Sequence, residues 1–118
     1  TKCYIRKRSK GDITLTYGET YLHDAITVLR ECATLMEKKG KDYQGGSVCD
    51  DDYYPHGWQS FDTMLTTKVL RFRSVMEQQG DINYDTADDC LRDLINYAAR
   101  CIVWMERNYA GNKRIDNA

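Results

Sequence analysis

The stretch Thr86-Ala87-Asp88-Asp89-Cys90-Leu91-Arg92-Asp93-Leu94-Ile95-Asn96-Tyr97-Ala98-Ala99 decides the fold class of this chain. At ~100° per residue it reads as a helix with two faces of unlike chemistry. Ala87, Leu91, Leu94, Ala98, Ile102 and Met105 fall on one apolar stripe, the expected buried face. Asp85, Asp89, Asp93 and Asn96 fall on the opposite side. Like charges one turn apart cost a helix roughly a few tenths of a kcal/mol per pair, so something offsets them. One account is a solvated acidic face whose first acids serve the helix N-terminus, with Asp85 or Thr86 as N-cap. The other is a divalent cation, because hard cations prefer carboxylate oxygens. Asp93 lies about two turns in, where the helix dipole has faded, so capping does not account for it.

Outward from that helix, 118 residues make a single domain, placed here at 1–109, with a polar tail over 110–118. An apolar fraction of 42% and a charged fraction of 30% are those of an ordinary soluble protein. The net charge of −1 gives no pull toward nucleic acid or an anionic membrane, and nothing else in the chain points to DNA or RNA. No run approaches the ~18 apolar residues of a membrane span, and no signal-peptide core follows the basic start. Five cysteines, Cys3, Cys32, Cys49, Cys90 and Cys101, show no C-x-x-C spacing. They read as reduced thiols of a cytoplasmic protein, three of them on or beside apolar helical faces.

Residues 2–17 alternate as strands do, with Ile5 before a Ser9-Lys10-Gly11-Asp12 turn and Ile13, Leu15 and Tyr17 after it. A short hairpin is expected there, and two strands alone are marginal in water. A first helix is expected over 20–39, from a Thr20 cap to a stop at Gly40, burying Leu22, Ile26, Leu29, Ala33 and Met36. Residues 41–59 lack periodicity and carry Asp50-Asp51-Asp52, Tyr53, Tyr54, His56 and Trp58. A loop of that length in a small domain is uncommon unless it serves a function. A second helix is expected over 60–79, capped by Ser60 and ended by Gly80, with Phe61, Met64, Leu65, Val69, Phe72, Val75 and Met76 inward. The third helix is expected over 86–108. Three short helices often complete a core by pairing with another copy, so a homodimer or higher homo-oligomer is expected.

Lys68 sits at the margin of the second helix's apolar stripe. Such a lysine snorkels, or its ammonium meets a phosphate, or it pairs with a third-helix aspartate. With Arg71 and Arg73 on the same helix, a cationic helix beside a carboxylate helix is what a magnesium–polyphosphate complex needs. The aromatics Tyr43, Tyr53, Tyr54, His56 and Trp58 either stack on a nucleobase or close over the core. Neither His23 nor His56 has a serine or cysteine placed beside it in a nucleophile motif.

The order Lys41-Asp42-Tyr43, Trp58, Lys68 with Arg71, Asp85-Thr86-Ala87-Asp88-Asp89 and then Asp93-Leu94-Ile95-Asn96-Tyr97-Ala98 resembles the nucleotide-modification-associated domain of phages and bacteria. That family is similar to the MazG-like all-α nucleotide pyrophosphohydrolases. The resemblance covers roughly residues 22–105 and is most specific over Asp89-x-x-x-Asp93-Leu-x-Asn-Tyr-Ala. It implies a mainly α, three-to-four-helix MazG-like bundle completed by oligomerisation. It also implies magnesium held by Asp89 and Asp93, with Asn96 beside them and Lys68 on phosphate. The family's first acidic motif, Glu-Glu-x-x-Glu, is not found on the first helix, where Glu31 is the best substitute ligand.

The expected function is therefore magnesium-dependent hydrolysis of a (deoxy)nucleoside triphosphate to the monophosphate and pyrophosphate. Asp89, Asp93 and Lys68 would be catalytic, and Asp89, Asp93 and Glu31 metal-binding. Tyr43, Trp58, Arg71 and Asn96 would hold the nucleotide. The alternative is a non-catalytic module that binds a nucleotide or a protein partner in phage nucleotide modification. A third class is an oligomeric scaffold with the aspartates paired to Arg71, Arg73 or Arg100 across subunits.

Overall fold

A computed structural model describes residues 16–43 and 46–111. The protein is mainly helical: α1 spans Tyr17–Tyr43, a single 3-10 turn spans Asp50–Tyr53, α2 spans Trp58–Met76 and α3 spans Tyr84–Tyr109. No strand occurs among the described residues. The expected hairpin falls on residues outside them, except that Thr16 and Tyr17, its last two residues, cap and open α1 instead. No helix among the described residues is long and apolar enough to cross a membrane. The chain divides into two compact units, Thr1–Leu35 and Met36–Ala118.

The first unit contains most of α1. Thr16, and not Thr20, caps the helix: its Oγ1 accepts the Glu19 N–H at 3.2 Å. The Thr20 hydroxyl is left buried without a hydrogen-bond partner. Thr27 and Thr34 donate back to the carbonyls of His23 and Arg30, which satisfies their hydroxyls inside the helix. Of the expected inward residues, Leu22, Ile26, Leu29 and Ala33 are exposed and Met36 is half-buried, while the neighbouring Cys32 is buried. Gly40 does not stop the helix, which continues to Tyr43. Glycine breaks a helix where the chain turns left-handed, and Gly40 is not among the positive-φ glycines.

The second unit is built on α2 packed against α3. The turn between them is short, with Gly80 at φ 99°, and contacts link the middles of the two helices and their far ends. They therefore run antiparallel. Gly57 stands at the N-cap of α2 with φ 64° and ψ −130°, a conformation open to glycine. A Cβ there would lie 3.0 Å from the Trp104 ring. Ser60, the expected cap, lies inside the helix, and its Oγ accepts the His56 N–H at 3.0 Å. Asn83 caps α3 in place of Asp85 or Thr86, its side chain accepting the Thr86 N–H at 3.1 Å. Asp85 then sits in the first turn, where its charge suits the dipole.

Phe61 is the centre of this unit at 1% exposure. Tyr54 stacks on it with ring centroids 4.1 Å apart, and Trp104 meets it at 6.1 Å. Val75, Ala87 and Cys90 are buried with it, and Met64, Leu65, Phe72, Leu94, Tyr97 and Cys101 are half-buried. The expected α3 stripe is corrected: Leu91, Ala98, Ile102 and Met105 are exposed. Apolar residues cover ~150° of that helix, more than one neighbouring helix conceals, and α2 takes the edge marked by Cys90, Tyr97, Cys101 and Trp104. On α2, Val69 and Met76 likewise stay exposed. Replacing Phe61 with alanine should lower the unfolding free energy by about 3–5 kcal/mol in urea titrations followed by helical circular dichroism. A loss below about 1 kcal/mol would contradict this centre.

Candidate functional site: a polar row along α3

Asp89, Asp93, Asn96 and Arg100 recur at four, three and four residues, so they form one row along α3. The row lies ~100° around the helix from the face packed on α2. Lys68 reaches it from α2. Phe61, Leu65, Lys68, Phe72 and Val75 share the heptad spacing of the inner face, so the Lys68 stem is drawn into the seam. Its ammonium is 2.7 Å from an Asp93 carboxylate oxygen, with side-chain exposures of 18% and 41%. A partly desolvated ammonium needs a counter-charge, and Asp93 supplies it. Of the readings open in the sequence, Lys68 thus takes pairing with a third-helix aspartate.

One turn further, Arg100 Nε donates to Asn96 Oδ1 at 3.1 Å. Arg100 also donates to the Tyr54 hydroxyl, the aromatic that covers Phe61. Burial pushes the Tyr54 phenol above its ordinary 10.0, and the Arg100 charge and hydrogen bond act against that rise. The row therefore runs from Asp89, which is exposed, to an arginine tied to the aromatic cover, with Lys68 on Asp93 and Arg100 on Asn96 as two separate contacts along it. Tyr54, expected among the aromatics that either stack on a base or close over the core, closes over the core, and Arg100, expected only as a cross-subunit partner of the aspartates, joins the row through Asn96. The four-residue step from Asn96 to Arg100 was the available signal.

Arg71 is exposed on α2, and Trp58 opens α2 with its ring largely in solvent. Tyr43 closes α1 within the second unit. Glu31 is exposed on the part of α1 that belongs to the first unit. The Asp50–Asp52 run is an N-capped 3-10 turn in which the Asp52 carboxylate accepts the Cys49 N–H at 2.9 Å and its thiol at 3.4 Å. Cys32, Cys49, Cys90 and Cys101 are free thiols.

Asp89 and Asp93 have the donor chemistry of a magnesium site, which takes one or two carboxylates plus substrate phosphates. Among the described residues no three His, Cys, Asp or Glu side chains cluster as a metal-holding group. A cation at Asp93 would displace the Lys68 ammonium, freeing it for an anion. Comparisons of the chain with family models, with curated proteins and with solved structures find no match.

A double-mutant cycle on Lys68→Met and Asp93→Asn should give a coupling of about 1 kcal/mol, larger than an open surface pair. Coupling indistinguishable from zero would remove the pair as a constraint on the seam. In alkaline spectrophotometric titration, one phenol should ionise above 10.0 and vanish in Tyr54→Phe. Because folding favours the neutral phenol, the stability it lends is present below the unfolded-state value. It is lost as pH rises through the higher folded value.

Proposed function

We propose that the polar row binds the phosphates of a nucleotide together with magnesium, in a domain that hydrolyses a (deoxy)nucleoside triphosphate to the monophosphate and pyrophosphate. The observation that supports this reading is the Lys68–Asp93 contact, which joins a phosphate-type cation to a metal-type carboxylate at 2.7 Å. Asp89 and Asp93 would hold the metal, which when bound screens phosphate charge and makes water more acidic. Lys68, released from Asp93, would neutralise the polyphosphate, with Arg71 as a second cation. Asn96 would orient substrate or water by hydrogen bonding, and Tyr43 and Trp58 would offer faces to the base. Glu31, the substitute for the family's first acidic motif that this chain lacks, belongs to the other unit. The same reading expects a homodimer or higher homo-oligomer in a cytoplasmic setting.

A second reading is a non-catalytic module that binds the nucleotide or a protein partner. It is favoured by the internal use of the row, since Asp93 and Asn96 already serve Lys68 and Arg100. With a panel of deoxynucleoside triphosphates and magnesium, Asp89→Asn and Asp93→Asn should each cut pyrophosphate release by roughly a hundredfold or more. Turnover that survives both changes would sink the hydrolytic mechanism. Thermal stabilisation by nucleotide without turnover would select the binding module.

A further inference from the structure

The face of α3 that α2 leaves open has the pattern of a helix seam. Leu91, Ile95, Ala98, Ile102, Met105 and Tyr109 alternate at four and three residues, the spacing that keeps a stripe against a partner helix. Leu91, Ile102, Met105 and Tyr109 are 41%, 55%, 49% and 67% exposed. The stripe lies ~90° around α3 from the inner face and on the side away from the polar row. Exposed apolar stripes of this regularity mark contact surfaces.

We propose that this stripe is the contact of a two-fold symmetric homodimer, in which α3 packs antiparallel against α3 of a second copy. The proposal deepens the self-association expected above and does not depend on the nucleotide chemistry. Self-complementarity and flanking charge commit it to a second copy. With the two-fold axis level with residues 99–101, Leu91 meets Tyr109 of the second copy, Ile95 meets Met105, and Ala98 meets Ile102. These are the mixed layers of an antiparallel seam. The same register brings Arg92 on the seam's flank to Glu106 of the second copy, and Glu106 to Arg92, giving two opposite-charge pairs related by symmetry. Arg92 is already presented along that flank by its 2.8 Å bridge to Asp88. Ala98 and Ala99 sit next to the axis, where small side chains let two helices approach. In a parallel in-register arrangement, Arg92 and Glu106 would lie across the seam from Ala87 and Cys101 of the second copy and gain no charged partner, so the charges choose the antiparallel one.

The test is sedimentation equilibrium of the full chain over a range of concentrations, with helical circular dichroism as the folding control. The chain should sediment at twice 13.7 kDa. Ile102→Glu should yield a folded monomer. Arg92→Glu and Glu106→Arg should each weaken self-association by about tenfold, because each places like charges together twice. An equimolar mixture of those two variants should recover wild-type association, since the mixed dimer restores both opposite-charge pairs. Failure of the mixture to recover overturns the antiparallel register, even if Ile102→Glu does not fold. A dimer indifferent to all three substitutions overturns this surface while leaving self-association standing. A monomer at every concentration overturns both.

Discussion

The Lys68–Asp93 ion pair is the contact on which the α2–α3 unit turns. Apolar side chains on two helices tolerate sliding by a turn, because one leucine- or valine-sized group replaces another at modest cost. A half-buried ammonium does not, since every other register leaves it beside apolar groups without a counter-charge. The pair therefore selects one register from those the apolar stripes permit. Phe61, fully enclosed at the open end of the two helices, supplies the adhesion that the pair specifies.

From that register the other features of the unit follow. With Lys68 opposite Asp93, Phe61 falls opposite the last turns of α3 and meets Trp104. Trp104 then lies so close to the start of α2 that a Cβ at position 57 would crowd its ring, at a residue whose φ of 64° already favours glycine. The turn at Gly57 returns the chain over Phe61, where Tyr54 stacks and accepts from Arg100. The polar row is the edge of the same packing: Asp93 is fixed by Lys68 and Asn96 by Arg100. Any ligand must compete with partners already in place.

Much of this was legible in the residues, and the losses have physical causes. The three helices were readable because apolar residues recur at helical spacing over long windows, as Phe61, Leu65, Phe72 and Val75 do. Their ends were not. Thr20, Ser60 and Thr86 are all good caps by residue type, yet the caps are Thr16, Gly57 and Asn83. Capping depends on which candidate leaves the helical dihedrals first, a choice that tertiary contacts such as Trp104 on Gly57 help to make. The direction of α3 was misjudged because Leu91, Ile102 and Met105 outrank Cys90, Tyr97 and Trp104 in hydrophobicity but not in contact with α2. The site's acidic residues were visible as a spacing. The tie from Arg100 to Tyr54 was not, because it joins residues far apart in the chain.

The three faces of α3 also make its length a constraint of a kind that composition does not show. The outer stripe and the polar row each lie about a right angle from the inner face, on opposite sides of it, close to the ~100° that one residue turns a helix. A single-residue insertion near Asn96 would rotate everything after it by one face. The continuation of the polar row, Arg100 included, would turn into the α2 seam, and Trp104 would turn out toward solvent. Seven-residue changes nearly restore the phase, with a drift of ~20°. The helix is thus a three-channel frame whose reading depends on an unbroken count, and it will accept substitution far more readily than insertion or deletion.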